Sequence, residues 1–264
     1  MIKMIATDLD NTLLDRSGKI PKSTAILLRQ AAEKGVLTAV ATGRCYPSAK
    51  GAAGTIGAQT PIICYNGSLI KRGDTGEVLA KTCITPDQIR AVSEFCHRND
   101  LYLQLYDEDD VVLCEQDCEG LRVDPDIQVV GFREIGDYRV HPDLRPTPKM
   151  LIVEQVEKVS ARLLELEKTF PDLSFCQSQP WLIEVMPQNA GKGLAVAKLA
   201  EIFGIRQDEV MTLGDNTNDL PMIRWAGLGV AVGNAVAALK AEADYVCTAE
   251  RSLGVEEALK KFVL

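Results

Sequence analysis

Two acidic residues, Asp8 and Asp10, stand one position apart in the segment ATDLDNTLLD at residues 6–15. The residues before them, MIKMIAT, are mostly apolar, which is typical of a buried strand. A carboxylate at the end of a buried strand is costly without a partner, and two carboxylates repel each other. The pair therefore indicates a site with a positive partner, and such acids suit nucleophilic attack and proton transfer.

Two further segments carry groups that bind anions. The sequence ATGR at 41–44 offers the Thr42 hydroxyl, the Gly43 backbone amide and the Arg44 guanidinium. Lys192, in the sequence NAGKG, stands at the start of a predicted helix, where an ammonium group suits a phosphate. Both segments therefore predict contacts to a phosphate group.

The segment GDNTND at 214–219 adds two more acids, Asp215 and Asp219, with Asn216 and Asn218 between them. Four acids at one site need a compensating charge. A hard divalent cation such as Mg²⁺ takes oxygen ligands and commonly joins one or two carboxylates to a phosphate. We therefore expect a Mg²⁺ site.

Together these residues predict a phosphoryl-transfer site. Asp8 as the nucleophile would form an aspartyl-phosphate. Asp10 would give a proton to the leaving group and later take one from water. Thr42, Lys192 and Asn218 would contribute to binding the phosphate.

The elements that must position these residues follow from the apolar pattern. Continuously apolar strands alternate with helices, which indicates a parallel sheet covered on both faces. The strands are expected at 1–7, 36–42, 61–66, 209–214, 228–233 and 244–248, and the helices at 22–34, 191–204, 219–227, 235–243 and 255–263. The chemical segments follow these strands, so we expect them at the carboxyl edge of the sheet, where open α/β sheets bind ligands.

The middle of the chain has a different pattern. Helices are expected at 85–100 and 156–170, and strands at 101–107, 111–116, 149–155 and within 173–187. The fold class is therefore α/β, a Rossmann-like parallel-sheet core formed by 1–82 and 188–264. An α+β domain at 83–187 is inserted into it.

The order of the motifs, D-x-D-x-T, a strand-end Thr, a Lys and G-D-x-x-N-D, resembles the haloacid dehalogenase (HAD) superfamily. It resembles the Cof-type phosphatases in particular, which carry a large α/β cap between the Thr and Lys motifs, as 83–187 would be here. The resemblance covers essentially the whole chain. It implies a Mg²⁺-dependent phosphatase of small phosphorylated metabolites, either sugar phosphates or phosphorylated cofactors.

The resemblance also implies roles for individual residues. Asp8 matches the nucleophile, and Asp10 matches the general acid and base, with its backbone carbonyl also on Mg²⁺. Asp215 matches the third metal ligand and Asp219 the acid that supports the metal site. The remaining matches are phosphate or substrate contacts: Thr42, Gly43, Asn66, Lys192 and Asn218. Arg44 is either a substrate contact or one half of a structural ion pair.

Composition limits the other functions. The net charge of −8 over 264 residues argues against nucleic acid as a partner. No segment approaches the roughly 18 apolar residues of a membrane span, and no apolar signal segment follows the N-terminus. The eight cysteines are scattered, as in a reduced protein. We expect a cytoplasmic enzyme, monomer or homodimer, whose partner is a small phosphorylated metabolite.

The sequence leaves three alternatives open. A sugar-phosphate phosphomutase would need a basic cluster for a second phosphate, which Arg122, Arg133, Arg139 and Arg145 could supply. A signalling module similar to response-regulator receivers would also be phosphorylated on an aspartate, but such modules are about half this length. A non-catalytic binding protein is disfavoured because every motif residue is present.

Overall fold

The computed structural model describes residues 1–107, 110–116 and 131–264, so Arg122 lies outside the described residues. The chain divides into two compact units, one formed by Met1–Ala80 with Gly191–Leu264 and the other by Lys81–Ala190. The boundaries predicted from the sequence, 83 and 187, lie close to these limits. The second unit's role as a cap stays a prediction.

The strands that the structure describes are numbered along the chain. They are β1 (Met4–Asp8), β2 (Leu37–Ala41), β3 (Ile62–Cys64), β4 (Leu69–Lys71), β5 (Val78–Lys81), β6 (Tyr102–Tyr106), β7 (Val111–Cys114), β8 (Gly131–Glu134), β9 (Lys149–Val153), β10 (Leu173–Gln179), β11 (Leu182–Pro187), β12 (Val210–Gly214), β13 (Leu228–Ala231) and β14 (Tyr245–Val246).

The helices are numbered in the same way. They are α1 (Lys22–Glu33), α2 (Tyr46–Ile56), α3 (Pro86–Arg98), α4 (Val159–Thr169), α5 (Lys192–Ile202), α6 (Leu220–Trp225), α7 (Ala237–Glu242) and α8 (Arg251–Phe262). Among the described residues, no helix combines the length and the apolar character that a membrane crossing requires.

The first unit contains the predicted parallel sheet. Its strand order is β14-β13-β12-β1-β2-β3-β4-β5, and the pairs from β14 to β3 are parallel, whereas β4 runs antiparallel to β3. All five residues of β1 and of β12 are buried, which explains why these strands are nearly continuous apolar runs. The α/β fold class predicted from the sequence is therefore confirmed.

The strand register aligns the ends of the three central strands. Thr7 of β1 lies opposite Leu213 of β12 on one side and Val40 of β2 on the other. Asp8 lies opposite Ala41, the last residue of β2. The residues that follow β1, β2 and β12 therefore meet at one edge of the sheet, as the sequence predicts.

The second unit contains a six-stranded sheet with the order β10-β11-β9-β6-β7-β8. Its pairs are antiparallel except β7 with β8, which is parallel. One face of the sheet packs on α3 and α4 through residues such as Leu105, Ile152, Ile183, Val92 and Leu166. The α+β character of the insertion is therefore confirmed.

Some elements are not predicted from the sequence. The helix α2 contains Gly51 and Gly54, which lower helix propensity by roughly 1 kcal/mol each relative to alanine. Its buried face compensates for this through Tyr46, Ala49, Ala53 and Ile56. The short strands β4, β5 and β8 are also absent from the prediction, and α8 begins at Arg251, not at 255.

Candidate active site

The first strand ends at Asp8, whose side chain is buried at the carboxyl edge of the sheet. The chain then turns through Asn11, which has the left-handed angles φ 60° and ψ 0°. Asparagine adopts this conformation more readily than most residues, so Asn11 fits the turn. The turn closes with a hydrogen bond of 2.9 Å from the Leu14 amide to the Leu9 carbonyl.

A buried lysine joins two of the acids. The Lys192 Nζ atom lies 2.6 Å from Oδ1 of Asp8 and 2.6 Å from Oδ1 of Asp219, and its side chain has no solvent exposure. Burial lowers the pKa of Lys192, but the two carboxylates outweigh that effect and the pKa is raised overall. The ammonium group is therefore charged and held between its two acceptors.

Two glycines allow the backbone segments on either side of Lys192 to pack closely against their neighbours. A Cβ atom on Gly193 would lie 2.5 Å from the Pro221 carbonyl oxygen, so the start of α5 can rest on α6 only without a side chain there. A Cβ atom on Gly67, which has φ +108°, would lie 2.4 Å from the Gly191 carbonyl oxygen. The turn at Tyr65–Gly67 thus packs on Gly191, the residue before Lys192.

Asp219 organises the loop that follows β12. Its Oδ2 atom accepts hydrogen bonds from the backbone amides of Asp215 at 2.9 Å and Asn216 at 3.1 Å. Its other oxygen is bound by Lys192, and the side chain is fully buried. Both oxygens of Asp219 therefore have protein partners, so Asp219 fixes the positions of Asp215 and Lys192.

We expect Gly214→Ala to disrupt this loop. The new Cβ atom would lie 2.6 to 2.7 Å from the Asp219 side chain, which would have to move away from its partners. The expected cost is about 1–3 kcal/mol in the free energy of unfolding, as for other overpacked sites. Chemical denaturation measures it. Gly51→Ala is the matched control, since nothing lies within 4 Å of that position in α2. It should be neutral or stabilising, and equal effects of the two substitutions would contradict the expectation.

Three carboxylates share this site. Oxygen atoms of Asp8, Asp215 and Asp219 lie within 4.8 Å of one another, and all three residues are buried. Burial, reinforced by Asp219 and Asp215, raises the pKa of Asp8 from 3.8 to about 8 although Lys192 acts in the opposite direction. Burial and then Asp219 also raise the pKa of Asp215. The single ammonium group of Lys192 does not balance three carboxylates, so the site carries excess negative charge.

The donor set fits a hard divalent cation. Asp8 and Asp215 are oxygen donors, and the raised pKa values of both show that the protein alone does not compensate their charges. Such oxygen-only sites suit Mg²⁺. The Thr12 hydroxyl donates a hydrogen bond of 3.0 Å to Oδ1 of Asp215 and holds its carboxylate in place.

Asp10 lies outside this group of three. Its side chain is 49% exposed, and Arg44 binds it through Nε to Oδ2 at 2.8 Å and Nη2 to Oδ1 at 2.5 Å. The strand β1 ends at Asp8 and the chain turns at Asn11, so Asp10 lies beyond the strand. Of the two possibilities for Arg44, the structure shows the ion pair.

The predicted phosphate contacts form a neighbouring group. Thr42, buried after β2, donates its backbone amide to Ile63 at 2.8 Å and accepts from the Asn66 amide at 3.0 Å. Asn218 Nδ2 donates to Oδ1 of Asn66 at 3.1 Å. A Cβ atom on Gly43 would lie 3.2 Å from the Asn66 side chain. The structure thus brings Thr42, Gly43, Asn66 and Asn218 together.

Two residues with no assigned role in the sequence support the site. Thr12 donates a hydrogen bond to Asp215. In the sequence, Thr12 is marked only as the threonine of the D-x-D-x-T motif. Asn234 donates from Nδ2 to the Asn11 carbonyl at 2.9 Å and accepts from the Arg251 amide at 2.8 Å. The position of Asn234 shortly after β13, at the carboxyl edge of the sheet, is the feature of the sequence that could have indicated this role.

Comparisons with known proteins identify the family to which the chain belongs. The sequence profile of the haloacid dehalogenase-like hydrolase family matches residues 5–259. The chain is 30% identical over 268 residues to the Bacillus subtilis 5-amino-6-(5-phospho-D-ribitylamino)uracil phosphatase YcsE, with 100% of this chain and 96% of the relative covered. The structure of a haloacid dehalogenase-like hydrolase from Bacteroides thetaiotaomicron matches with a TM-score of 0.84 and 28% identity over 99% of both chains. The HAD subclass IIB sugar phosphatase BT4131 matches with a TM-score of 0.75 and 26% identity over 98% of both chains. As its motifs predict, the chain belongs to the haloacid dehalogenase-like hydrolase family.

Proposed function

We propose that the protein is a Mg²⁺-dependent phosphatase that hydrolyses small phosphorylated metabolites through a phosphoryl group carried on Asp8. The observation that carries the proposal is the buried contact of 2.6 Å between Lys192 and Asp8 at the carboxyl edge of the sheet, beside two further carboxylates. The names of YcsE, a 5-amino-6-(5-phospho-D-ribitylamino)uracil phosphatase, and of BT4131, a sugar phosphatase, support a small phosphate monoester of a sugar or of a ribitylamino compound as substrate.

The protein's residues divide the chemistry. Asp8 attacks phosphorus, so that an Asp8–phosphorus bond forms while the bond to the ester oxygen breaks. Asp10 gives a proton to the departing alcohol. Water then attacks the phosphoryl group, loses a proton to Asp10 and releases phosphate, which regenerates Asp8. Lys192 favours the ionised, nucleophilic form of Asp8 through its contact of 2.6 Å.

Mg²⁺ would be held by Asp8 and Asp215, with Asp219 fixing the loop and the Asp10 backbone carbonyl as a further ligand. When bound, the ion supplies positive charge that offsets the carboxylates and the phosphate of the substrate. The phosphate would be bound by the Thr42 hydroxyl and the Gly43 amide, with Asn66 and Asn218 beside them.

We expect p-nitrophenyl phosphate to be hydrolysed with Mg²⁺ and not in EDTA, measured as released phosphate. A second measurement does not depend on activity. Mg²⁺ should raise the melting temperature, because a ligand that binds only the folded state stabilises it. Asp215→Asn should abolish this shift. The control Asp208→Asn, an exposed acid before β12 and thus at the opposite edge of the sheet, should keep it. Hydrolysis at full rate in EDTA would contradict the proposal.

Two of the four arginines considered for a phosphomutase, Arg133 and Arg139, have carboxylate partners in the second unit. Arg139 is bound by Asp137 at 2.7 Å and Glu94 at 3.3 Å, and Arg133 lies 3.7 Å from Asp107. Carboxylates therefore neutralise these two guanidinium groups, which would otherwise be candidates for a second phosphate. Conversion of one hexose phosphate into another without phosphate release would be the result that favours the mutase.

A further inference from the structure

We propose that Arg44 is a positioning residue that orients the carboxylate of Asp10, the general acid, and does not serve to bind the phosphate. This inference rests on the proposed function. It assigns to Arg44 a role that the sequence leaves open between a substrate contact and an ion pair.

The contact between the two side chains has a defined geometry. Nε and Nη2 of Arg44 each donate to a different oxygen of Asp10, at 2.8 Å and 2.5 Å. Such a two-bond contact between planar groups fixes the orientation of the carboxylate as well as its distance. Because the side chains are 35% and 49% exposed, we expect the pair to contribute little to stability. The main effect of the pair is therefore to orient the Asp10 carboxylate.

The backbone of Arg44 is bound by residues next to the proposed phosphate contacts. Its backbone amide donates to the Thr42 hydroxyl oxygen at 3.2 Å, and its carbonyl accepts from the Tyr65 amide at 3.1 Å. The chain of contacts therefore runs from Thr42 through Arg44 to Asp10. The loop that follows β2 therefore determines the orientation of the Asp10 carboxylate, although Asp10 itself follows β1.

Asp10 needs this support because its own segment does not supply it. Asp10 lies in the turn after β1, next to Asn11 with its left-handed backbone, and its side chain is half exposed. An exposed carboxylate in a turn samples several orientations. A proton donor is effective only where its oxygen stays within hydrogen-bond reach of the leaving oxygen.

The test compares two substrates that differ chiefly in their leaving group. p-Nitrophenolate leaves readily without a proton, whereas the phenolate of phenyl phosphate needs one much more. The measured quantity is kcat/KM, which includes only the steps up to release of the alcohol. For Arg44→Met we expect a loss of about threefold or less with p-nitrophenyl phosphate and about thirtyfold or more with phenyl phosphate. The inhibition constant of inorganic phosphate should stay within about twofold of the wild type.

Two further variants separate orientation from charge. Arg44→Lys keeps the positive charge but cannot make the two-bond contact, so it should retain the greater loss with phenyl phosphate. Asp10→Asn should show the same substrate dependence. The double variant Asp10→Asn with Arg44→Met should then lose little more kcat/KM than Asp10→Asn alone, because both changes remove the same function. Arg206→Met is the matched control, since Arg206 binds Asp208 by the same two-bond geometry before β12, at the opposite edge of the sheet.

The outcomes distinguish the possible failures. Equal losses with both substrates, together with weaker inhibition by inorganic phosphate or full rescue by Arg44→Lys, would overturn the inference and assign Arg44 to the phosphate. A wild-type protein that hydrolyses neither substrate with Mg²⁺ would instead overturn the proposed function and the inference with it. Melting temperatures of all variants should lie near that of the wild type.

Discussion

Asp8→Asn should abolish phosphate release, with a loss of about 10⁴-fold or more in kcat, while the protein stays folded. The amide keeps the shape of the side chain but is not a nucleophile toward phosphorus. Asn also removes a negative charge that is buried among two other carboxylates. Lys192 would keep its contact of 2.6 Å to Asp219, so it would not be left unpaired.

The stability of this variant should depend on pH in a defined direction. Burial raises the pKa of Asp8 from 3.8 to about 8 in the folded protein, so the folded state binds a proton that the unfolded state has lost. The contribution of Asp8 to stability therefore falls as the pH rises from about 4 to 8, and Asn has no such dependence. In EDTA, the variant should gain stability relative to the wild type between pH 5 and pH 8.

Urea denaturation at several pH values and a phosphate-release assay check both statements. Asp15→Asn is a suitable control, because Asp15 lies beyond the turn after β1, is partly exposed and has a lowered pKa, owing first to its hydrogen bond from Ser17. Asp15→Asn should keep activity, and its stability relative to the wild type should not rise from pH 5 to pH 8. An Asp8→Asn protein with normal turnover would exclude Asp8 as the nucleophile.

The pattern of the sequence predicts the place of the site because the relevant residues follow strands. Asp8, Thr42 and Asp215 each come directly after or at the end of an apolar run, and parallel strands bring such positions to one edge. The contact of Lys192 is predicted less directly. A lysine at the start of a helix indicates an anion, and the structure shows that its partners are carboxylates of the protein itself.

The partners of individual side chains could not be predicted from the sequence. Arg44 and Asp10 lie on different loops, and their contact depends on the register between β1 and β2 and on the turn at Asn11. The sequence does not predict the helix α2 for a related reason, since its two glycines argue against a helix and only tertiary packing of its buried face favours one. Local patterns identify strand ends, whereas side-chain partners depend on long-range geometry.

Lys192→Met should inactivate the protein and also destabilise it. Methionine has a similar length but no charge, so Asp8, Asp215 and Asp219 would remain buried within 4.8 Å of one another without a cation. Removal of one partner from a buried ion pair costs about 3–5 kcal/mol, because the remaining charge loses its compensation. The catalytic loss should be at least about 10³-fold, because Lys192 would no longer favour the ionised form of Asp8.

The magnitude of the destabilisation should depend on Mg²⁺. In EDTA no other cation among the described residues is bound to the three carboxylates, and the loss of free energy of unfolding should be largest there. Excess Mg²⁺ should recover part of it, since the proposed metal would contact two of the same acids. Lys198→Met is the matched control on the same helix, because Lys198 is 49% exposed and binds only the exposed Glu201 at 3.0 Å among the contacts described for its ammonium group.

Denaturation in EDTA and in Mg²⁺ therefore tests the electrostatics of the site separately from catalysis. If Lys192→Met were as stable as Lys198→Met in EDTA, the buried ammonium group would not be what permits three carboxylates to lie together. If it were destabilised but gained nothing more from Mg²⁺ than the control does, the carboxylates would not form the metal site. The combination of a large loss in EDTA and partial recovery in Mg²⁺ is expected only when the lysine and the metal compensate the same buried charge.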